Sequence, residues 1–471
     1  MLVGGLDEDS LTTAHRKTSP TTETPSHSKN DTVPTSTISR IWQTRKVNML
    51  YRALTALVAL GVAWPALADT YSISPPEKVG LSSDRLQRLT SALENEVEKS
   101  RLPGAVLAIA RKGQLAYFET VGYRDAAAKA TMPRDAIFSI ASMTKPMVAV
   151  AIMILHDEGK LFLSDPVGRF IPQLGNMQMG VVKTDATGKE VVETVAAARQ
   201  PTIQDLLRHT SGMTYGERGT TPVHKLWPPS SSGASVTYTA PEFIDAISKA
   251  PLLYQPGTVW DYSLSTDVLG LVVESISGKS LGAFLDERIW KPLGMVDTGF
   301  AVPDAKQARY ALAFPNDPLT NKPQSVLHAS GKPIKFECGG ACAVSTAMDY
   351  LRFAQMLLNK GTLDGRQILS RKTVEMMTTD QLGAKVRARS THPLLAAGYS
   401  FGLGFTVRTH AGLASLAGTT GDYSWGGAFG TYFWVDPKEE LAVVFMAAAP
   451  SDIRTQARTL VKNLVSAAIL D

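Results

Sequence analysis

The 471-residue sequence predicts an α+β fold: one antiparallel sheet assembled from the two ends of the chain, flanked by helices, with a mainly helical region inserted between them. Two strand pairs, far apart in the chain, carry this prediction. Ala105 to Arg111 (AVLAIAR) and Gln114 to Val121 (QLAYFETV) flank the turn Lys112-Gly113 and read as a hairpin. Gly430 to Val435 (GTYFWV) and Leu441 to Ala447 (LAVVFMA) flank a second turn, Asp436 to Glu440. Sheet is therefore expected over about 81–140 and 400–471, and a mainly helical, loop-rich region over about 141–399. A functional site belongs at the seam between them.

Along the chain, residues 1–48 are rich in Ser, Thr and Pro with Trp42 their only aromatic, so they cannot build a core. They read as a disordered extension or as a product of start-site choice. Met49 then opens a short basic region with Arg52, an apolar run from Ala53 to Ala63, and Ala66-Leu67-Ala68. This is the layout of a secretory signal over 49–68 with cleavage before Asp69, which implies export to a bacterial periplasm or beyond. About a dozen apolar residues are too few to cross a bilayer, so no integral span is expected in the mature chain, 69–471. An uncleaved anchor is the competing reading.

In the body of the chain, Leu86, Leu89, Leu93 and Val97 recur at helical spacing behind the N-cap candidate Ser82. Pro146 to Glu158 is apolar on nearly every face, predicting a buried helix stopped by Gly159. Asp267 to Ile276 predicts another, ending at Gly278, and Asp452 to Leu470 a final one.

Composition is globular, with 44% hydrophobic and 19% charged residues. The net charge of +5 is dispersed rather than striped and no nucleic-acid motif accompanies it, so no nucleic-acid partner is expected. Cys338 and Cys342, in CGGAC, are the only cysteines and read equally as a tight disulfide loop or two thiols. No His/Cys/Asp cluster has metal-ligand spacing, and neither metal nor cofactor is expected.

Three short motifs carry chemistry. Ser142-Met143-Thr144-Lys145 sets a hydroxyl and an amine one turn apart at the start of the buried helix. For Lys145 to act as a base its pKa must fall by roughly 3 units from about 10.4, through burial or neighbouring charge. Tyr262 follows the turn-rich stretch Gln255 to Asp261, so a loop would deliver its phenol, which beside an ammonium can carry protons. Trp425-Gly426-Gly427-Ala428 precedes the late strand pair; its glycines permit close backbone approach to a ligand, a backbone N–H there can meet an oxyanion, and Trp425 can wall a pocket.

In this order and context the three motifs resemble the family VIII carboxylesterases of the serine β-lactamase and penicillin-binding-protein superfamily. Asp205 to Met213 (DLLRHTSGM) and Gly339-Gly340 leading to Val344-Ser345-Thr346-Ala347-Met348-Asp349-Tyr350 agree with it. The resemblance runs from about Leu81 to the C-terminus, with about 176–240 enlarged. It implies a β-lactamase-like fold, Ser142 as the acylated nucleophile, Lys145 as the amine that activates it and Tyr262 as the proton shuttle. It implies an oxyanion hole from the backbone N–H groups of Ser142 and Ala428, with Trp425, Gly426 and Gly427 against the substrate. Related β-lactamases and peptidases place Lys or His where Trp425 stands, and β-lactamases commonly place Asn where Leu264 stands. Both departures favour neutral short- to medium-chain esters over carboxylate-bearing amides, with weak cephalosporin hydrolysis as a side activity. The alternatives are a β-lactamase or D-Ala-D-Ala carboxypeptidase, an acyltransferase, and a catalytically silent peptidoglycan-binding protein.

A rival motif, Gly278-Lys279-Ser280-Leu281-Gly282, fits the G-x-S-x-G pattern of α/β-hydrolases. It falls at a helix end rather than a strand-to-helix turn, so Ser280 is read as a helix cap. His209 is read as a structural hydrogen-bonder.

Overall fold

Period-two alternation divides the central strands between two cores. In β1 (Gly104–Arg111), Val106, Ala108 and Ala110 enter one core, while Ala105, Leu107 and Ile109 enter the other. All eight residues are buried, which is why this strand reads as a continuous apolar run. The computed structural model describes residues 73–471; the expected extension over 1–48 and signal over 49–68 lie outside the described residues.

β1 pairs antiparallel with β2 (Gln114–Asp125) across Lys112 and Gly113, both at positive φ (52° and 74°), the primed turn that matches strand twist. Then come β3 (Ala130–Thr131), β4 (Tyr399–Phe401), β5 (Thr406–Arg408), β6 (Tyr423–Gly426), β7 (Tyr432–Asp436) and β8 (Leu441–Ala447). They form one eight-stranded sheet in the order β4-β5-β6-β7-β8-β1-β2-β3. The junction is β8 against β1, where Ala105 to Arg111 register with Ala447 to Leu441. The two chain ends thus meet in the middle of the sheet.

On one face lie α1 (Ser83–Glu98), N-capped by Ser82, and the last helix, Ile453–Ala468, which share the second core with Trp434, Val443 and Phe445. On the other face lies the inserted region. Its centre is α2 (Thr144–Asp157), buried from Thr144 to Leu155 and followed by Gly159 at φ 69°. It packs with α3 (Ser265–Ser277), which ends at the left-handed Gly278. Ser280 caps α4 (Leu281–Leu285) by accepting from Ala283 N–H. We label the last helix α5.

The inserted region also carries a hairpin, Gln178–Thr184 paired with Glu190–Ala196, for which the sequence reading gave no strands. Its side chains are exposed or half-buried, so it lacks the apolar alternation that marks a core strand. Cys338 and Cys342 form a disulfide with Cα atoms 5.2 Å apart, which settles the open choice between bridge and thiols.

Candidate active site

Ser142 lies in a 3-10 turn, Ala141–Met143, that runs directly into α2. It is one step earlier than the first α-helical turn expected from sequence. Ala141 before it holds φ 44°, a left-handed value that costs a residue with a Cβ energy and persists only where surroundings enforce it. Those surroundings are visible. Ile140 N–H donates to Ala343 O (3.0 Å), Thr144 Oγ1 to Ala141 O (2.7 Å), Thr431 Oγ1 to Ile140 O (3.2 Å) and Tyr350 Oη to Met143 O (2.8 Å).

Lys145 is 1% exposed, yet its hydrogen-bond partners are neutral: Tyr215 Oη at 3.1 Å and Gly340 O at 2.6 Å. Its Nζ also stands 4.7 Å from the centre of the Tyr262 ring. Burial pulls this ammonium down, but the phenol oxygens of Tyr215 and Tyr262 and the Asp267 carboxylate outweigh it and hold Lys145 above the ordinary lysine range. The depression that a base role for Lys145 would require is absent from these surroundings, which favour the cation.

The residues around that cation form a closed ring. Tyr215 Oη and Ser231 Oγ are 2.8 Å apart, Ser231 Oγ donates to Asp267 Oδ2 (2.7 Å), and Gly340 N–H donates to Asp267 Oδ1 (2.9 Å) while its carbonyl meets Lys145. A Cβ on Gly340 would stand 2.1 Å from Ser231 Oγ and 2.6 Å from Asp267 Oδ2, so glycine is required there. Cys338–Cys342 brackets this glycine. Sequence reasoning missed Tyr215, Ser231 and Asp267. The available signals were an Asp in the first turn of an apolar helix and a Tyr two residues beyond Ser211-Gly212-Met213.

Tyr262 comes from the loop before α3 and is buried, and among the described residues its Oη has no hydrogen-bond partner of good geometry, Lys145 being the polar group that acts on it. Its ring lies 5.3 Å from Trp425, 4.8 Å from His209 and 5.4 Å from Tyr215. Trp425 also meets Phe401 edge-on at 5.4 Å, so β4 and β6 supply an aromatic wall. His209 is buried, bonded through Nδ1 to Ser263 Oγ (3.2 Å), and burial pushes its imidazole well below the ordinary range, which keeps it neutral. Arg218, also missed, extends an exposed guanidinium to 5.0 Å from the Tyr262 ring centre.

Gly426 and Gly427 close β6. A Cβ on Gly427 would stand 2.1 Å from Ile140 O, so this glycine seats the strand end against the turn that carries Ser142. A Cβ on Gly426 would meet Arg458 at 2.8 Å, behind the sheet. Their side-chain positions thus face protein rather than ligand. The exposed Ala428 follows, and its N–H has no acceptor among the described residues. The arrangement brings together a half-buried hydroxyl, a buried cation, an unpartnered phenol and a free backbone N–H, which suits acyl transfer through a covalent intermediate.

A family model described as Beta-lactamase matches residues 89–465. An uncharacterized protein of Mycobacterium tuberculosis is 36% identical over 381 residues, covering 78% of this chain and 91% of its own length. Esterase EstB of Burkholderia gladioli is 29% identical over 382 residues, covering 76% and 89%. Among solved structures, EstCE1, described as a hydrolase with promiscuous acyltransferase activity, superposes with TM-score 0.66 at 25% identity, over 81% of this chain and 98% of its own.

Proposed function

The chain belongs to the β-lactamase family, and from that premise we propose that this serine hydrolase is a carboxylesterase that cleaves short- to medium-chain esters through an acyl-enzyme on Ser142. The observation that carries the reading is the Lys145 cation held between two phenols, with Tyr262 Oη unclaimed by any other group. An ammonium that keeps its proton cannot take one from Ser142. The step therefore requires Tyr262 to enter as the phenolate, its charge offset by the Lys145 ammonium; its oxygen takes the Ser142 proton and becomes the neutral phenol. Ser142 Oγ bonds to the ester carbonyl carbon, and the oxyanion meets the N–H groups of Ser142 and Ala428. The carbon–oxygen bond to the alcohol then breaks, with Tyr262 returning the proton to the leaving oxygen. Water repeats the sequence to free the acid; an alcohol in its place would make the same site an acyltransferase.

Trp425 against Tyr262 gives the site an apolar wall where a substrate carboxylate would need a cation, which favours neutral esters. One observation favours a second reading: the Arg218 guanidinium over Tyr262 offers a charge to a carboxylate-bearing β-lactam or D-alanyl peptide. Short-chain p-nitrophenyl esters and a chromogenic cephalosporin, assayed with wild type, Ser142→Ala and Ser280→Ala, separate these. We expect ester turnover that Ser142→Ala abolishes and Ser280→Ala preserves. Cephalosporin preferred over every ester would replace the first reading by the second.

Export remains part of this proposal. The Cys338–Cys342 disulfide supports an oxidising compartment such as the periplasm. Among the described residues no single helix is long and apolar enough to cross a membrane.

A further inference from the structure

A half-buried cation that the mechanism does not use stands behind the late strands. Arg458, on α5 behind the sheet, forms no ion pair among the described residues, and its Nε is buried without a partner. Its guanidinium donates through one nitrogen to two carbonyls, Gly427 O and Thr431 O, the latter at 2.7 Å. Gly427 O also accepts from Gly430 N–H (3.1 Å), and Gly427 N–H donates to Thr431 O (2.8 Å), closing a tight turn with Ala428 at its second position. Gly426 is what admits the guanidinium, since a Cβ there would stand 2.8 Å from it.

The carbonyl of Gly427 and the N–H of Ala428 belong to one planar trans peptide, so they point in opposite directions. A cation gripping the carbonyl from behind the sheet fixes the N–H toward the front, where Tyr262 and Trp425 lie. It also draws electron density from the amide, which strengthens that N–H as a donor. The two glycines then have separate duties. Gly426 lets Arg458 reach the peptide from one face of the sheet, and Gly427 lets Ile140 and the Ser142 turn seat against it from the other.

We propose that Arg458 is a positioning residue for the oxyanion hole, orienting and polarising the Gly427–Ala428 peptide from the opposite side of the sheet. The inference rests on the reading of Ala428 N–H as an oxyanion donor. Arg458 touches neither substrate nor nucleophile, so its effect is confined to the tetrahedral state.

The test uses p-nitrophenyl butyrate kinetics, inhibition by phenylboronic acid, whose serine adduct presents a tetrahedral oxygen to the hole, and thermal melting. Arg458→Met should lower kcat about 10- to 100-fold with KM within about threefold, and weaken phenylboronic acid by a comparable factor, since losing a whole donor costs about 10²- to 10³-fold. Arg458→Lys keeps a cation without the fork, and should show a smaller loss at near-native melting temperature. Wild-type kcat and phenylboronic acid affinity in Arg458→Met, or in Arg458→Lys should the first not fold, would overturn the proposal. Ala428→Pro separates the two layers, because proline suits that turn position and removes the N–H itself. If Ala428→Pro retains full turnover while Ser142→Ala has none, the oxyanion reading fails; if Ala428→Pro is inactive and Arg458→Met is not, only the role of Arg458 fails.

Discussion

Two lysines are equally buried in this protein, and their surroundings differ in kind. Lys145 and Lys462 are each 1% exposed. Lys462, on α5, donates to Asp422 Oδ2 at 3.2 Å, and the same oxygen accepts from Arg408 Nε at 2.9 Å, with all three side chains sealed from solvent. Lys145 faces a phenol and a carbonyl, with a second phenol ring under its ammonium. A buried cation that meets a carboxylate directly is satisfied and inert. One that meets a carbonyl and phenols, with no carboxylate in direct contact, is poised to stabilise charge as it develops. The same residue type thus serves architecture on one side of the sheet and chemistry on the other.

Exchanging each lysine for the isosteric Met should separate the two roles with the largest effects. Lys145→Met should cut ester turnover by about 10³-fold or more while leaving the melting temperature unchanged or raised, since it removes a buried cation without a direct carboxylate partner. Lys462→Met should leave kcat near wild type and cost about 1–3 kcal/mol in denaturant unfolding, because Asp422 keeps only Arg408. Loss of stability without loss of turnover at Lys145 would erase the distinction.

A smaller, pH-dependent effect belongs to the site side. His392 packs edge-on to Trp260 at 5.3 Å and lies 6.4 Å from Tyr262, and burial together with Arg218 brings its imidazole down to about 4. The folded state therefore binds the proton less tightly than the unfolded chain, whose histidine titrates near 6.5. This contribution is intact above about pH 6.5 and is lost as pH falls from there through 4. Because the ring is partly exposed, the loss should be about 1 kcal/mol. His392→Phe, which keeps an aromatic ring at the same place, should make the stability profile between pH 6.5 and 4 shallower while the buried His209 keeps part of the slope; an unchanged slope would show that His392 contributes nothing.

What was legible in the sequence follows from range. Hairpin turns, helix caps at Ser82 and Ser280, and glycine stops at 159 and 278 are fixed by a few neighbouring residues, and pattern suffices to find them. The three motifs around Ser142, Tyr262 and Trp425 were visible because each is contiguous. The ring of Tyr215, Ser231, Asp267 and Gly340 was not, since its members are separated by 16 to 73 residues along each hydrogen bond and none carries a local signature. The charge state of Lys145 was left open for the same reason: burial was legible in the apolar helix, but the compensating phenols and carboxylate were not. Arg458 carries no local signature within the final helix, and its carbonyl partners Gly427 and Thr431 lie 31 and 27 residues away in the chain.

The central claim is that Ser142 becomes acylated beside the Lys145 cation. Its most direct test is a fluorophosphonate probe applied to the folded enzyme, followed by peptide mapping by mass spectrometry. A single adduct on the peptide containing Ser142, formed in step with loss of ester turnover and absent from Ser142→Ala, is the predicted result. An adduct on Ser280, or complete inactivation with Ser142 unmodified, would contradict it.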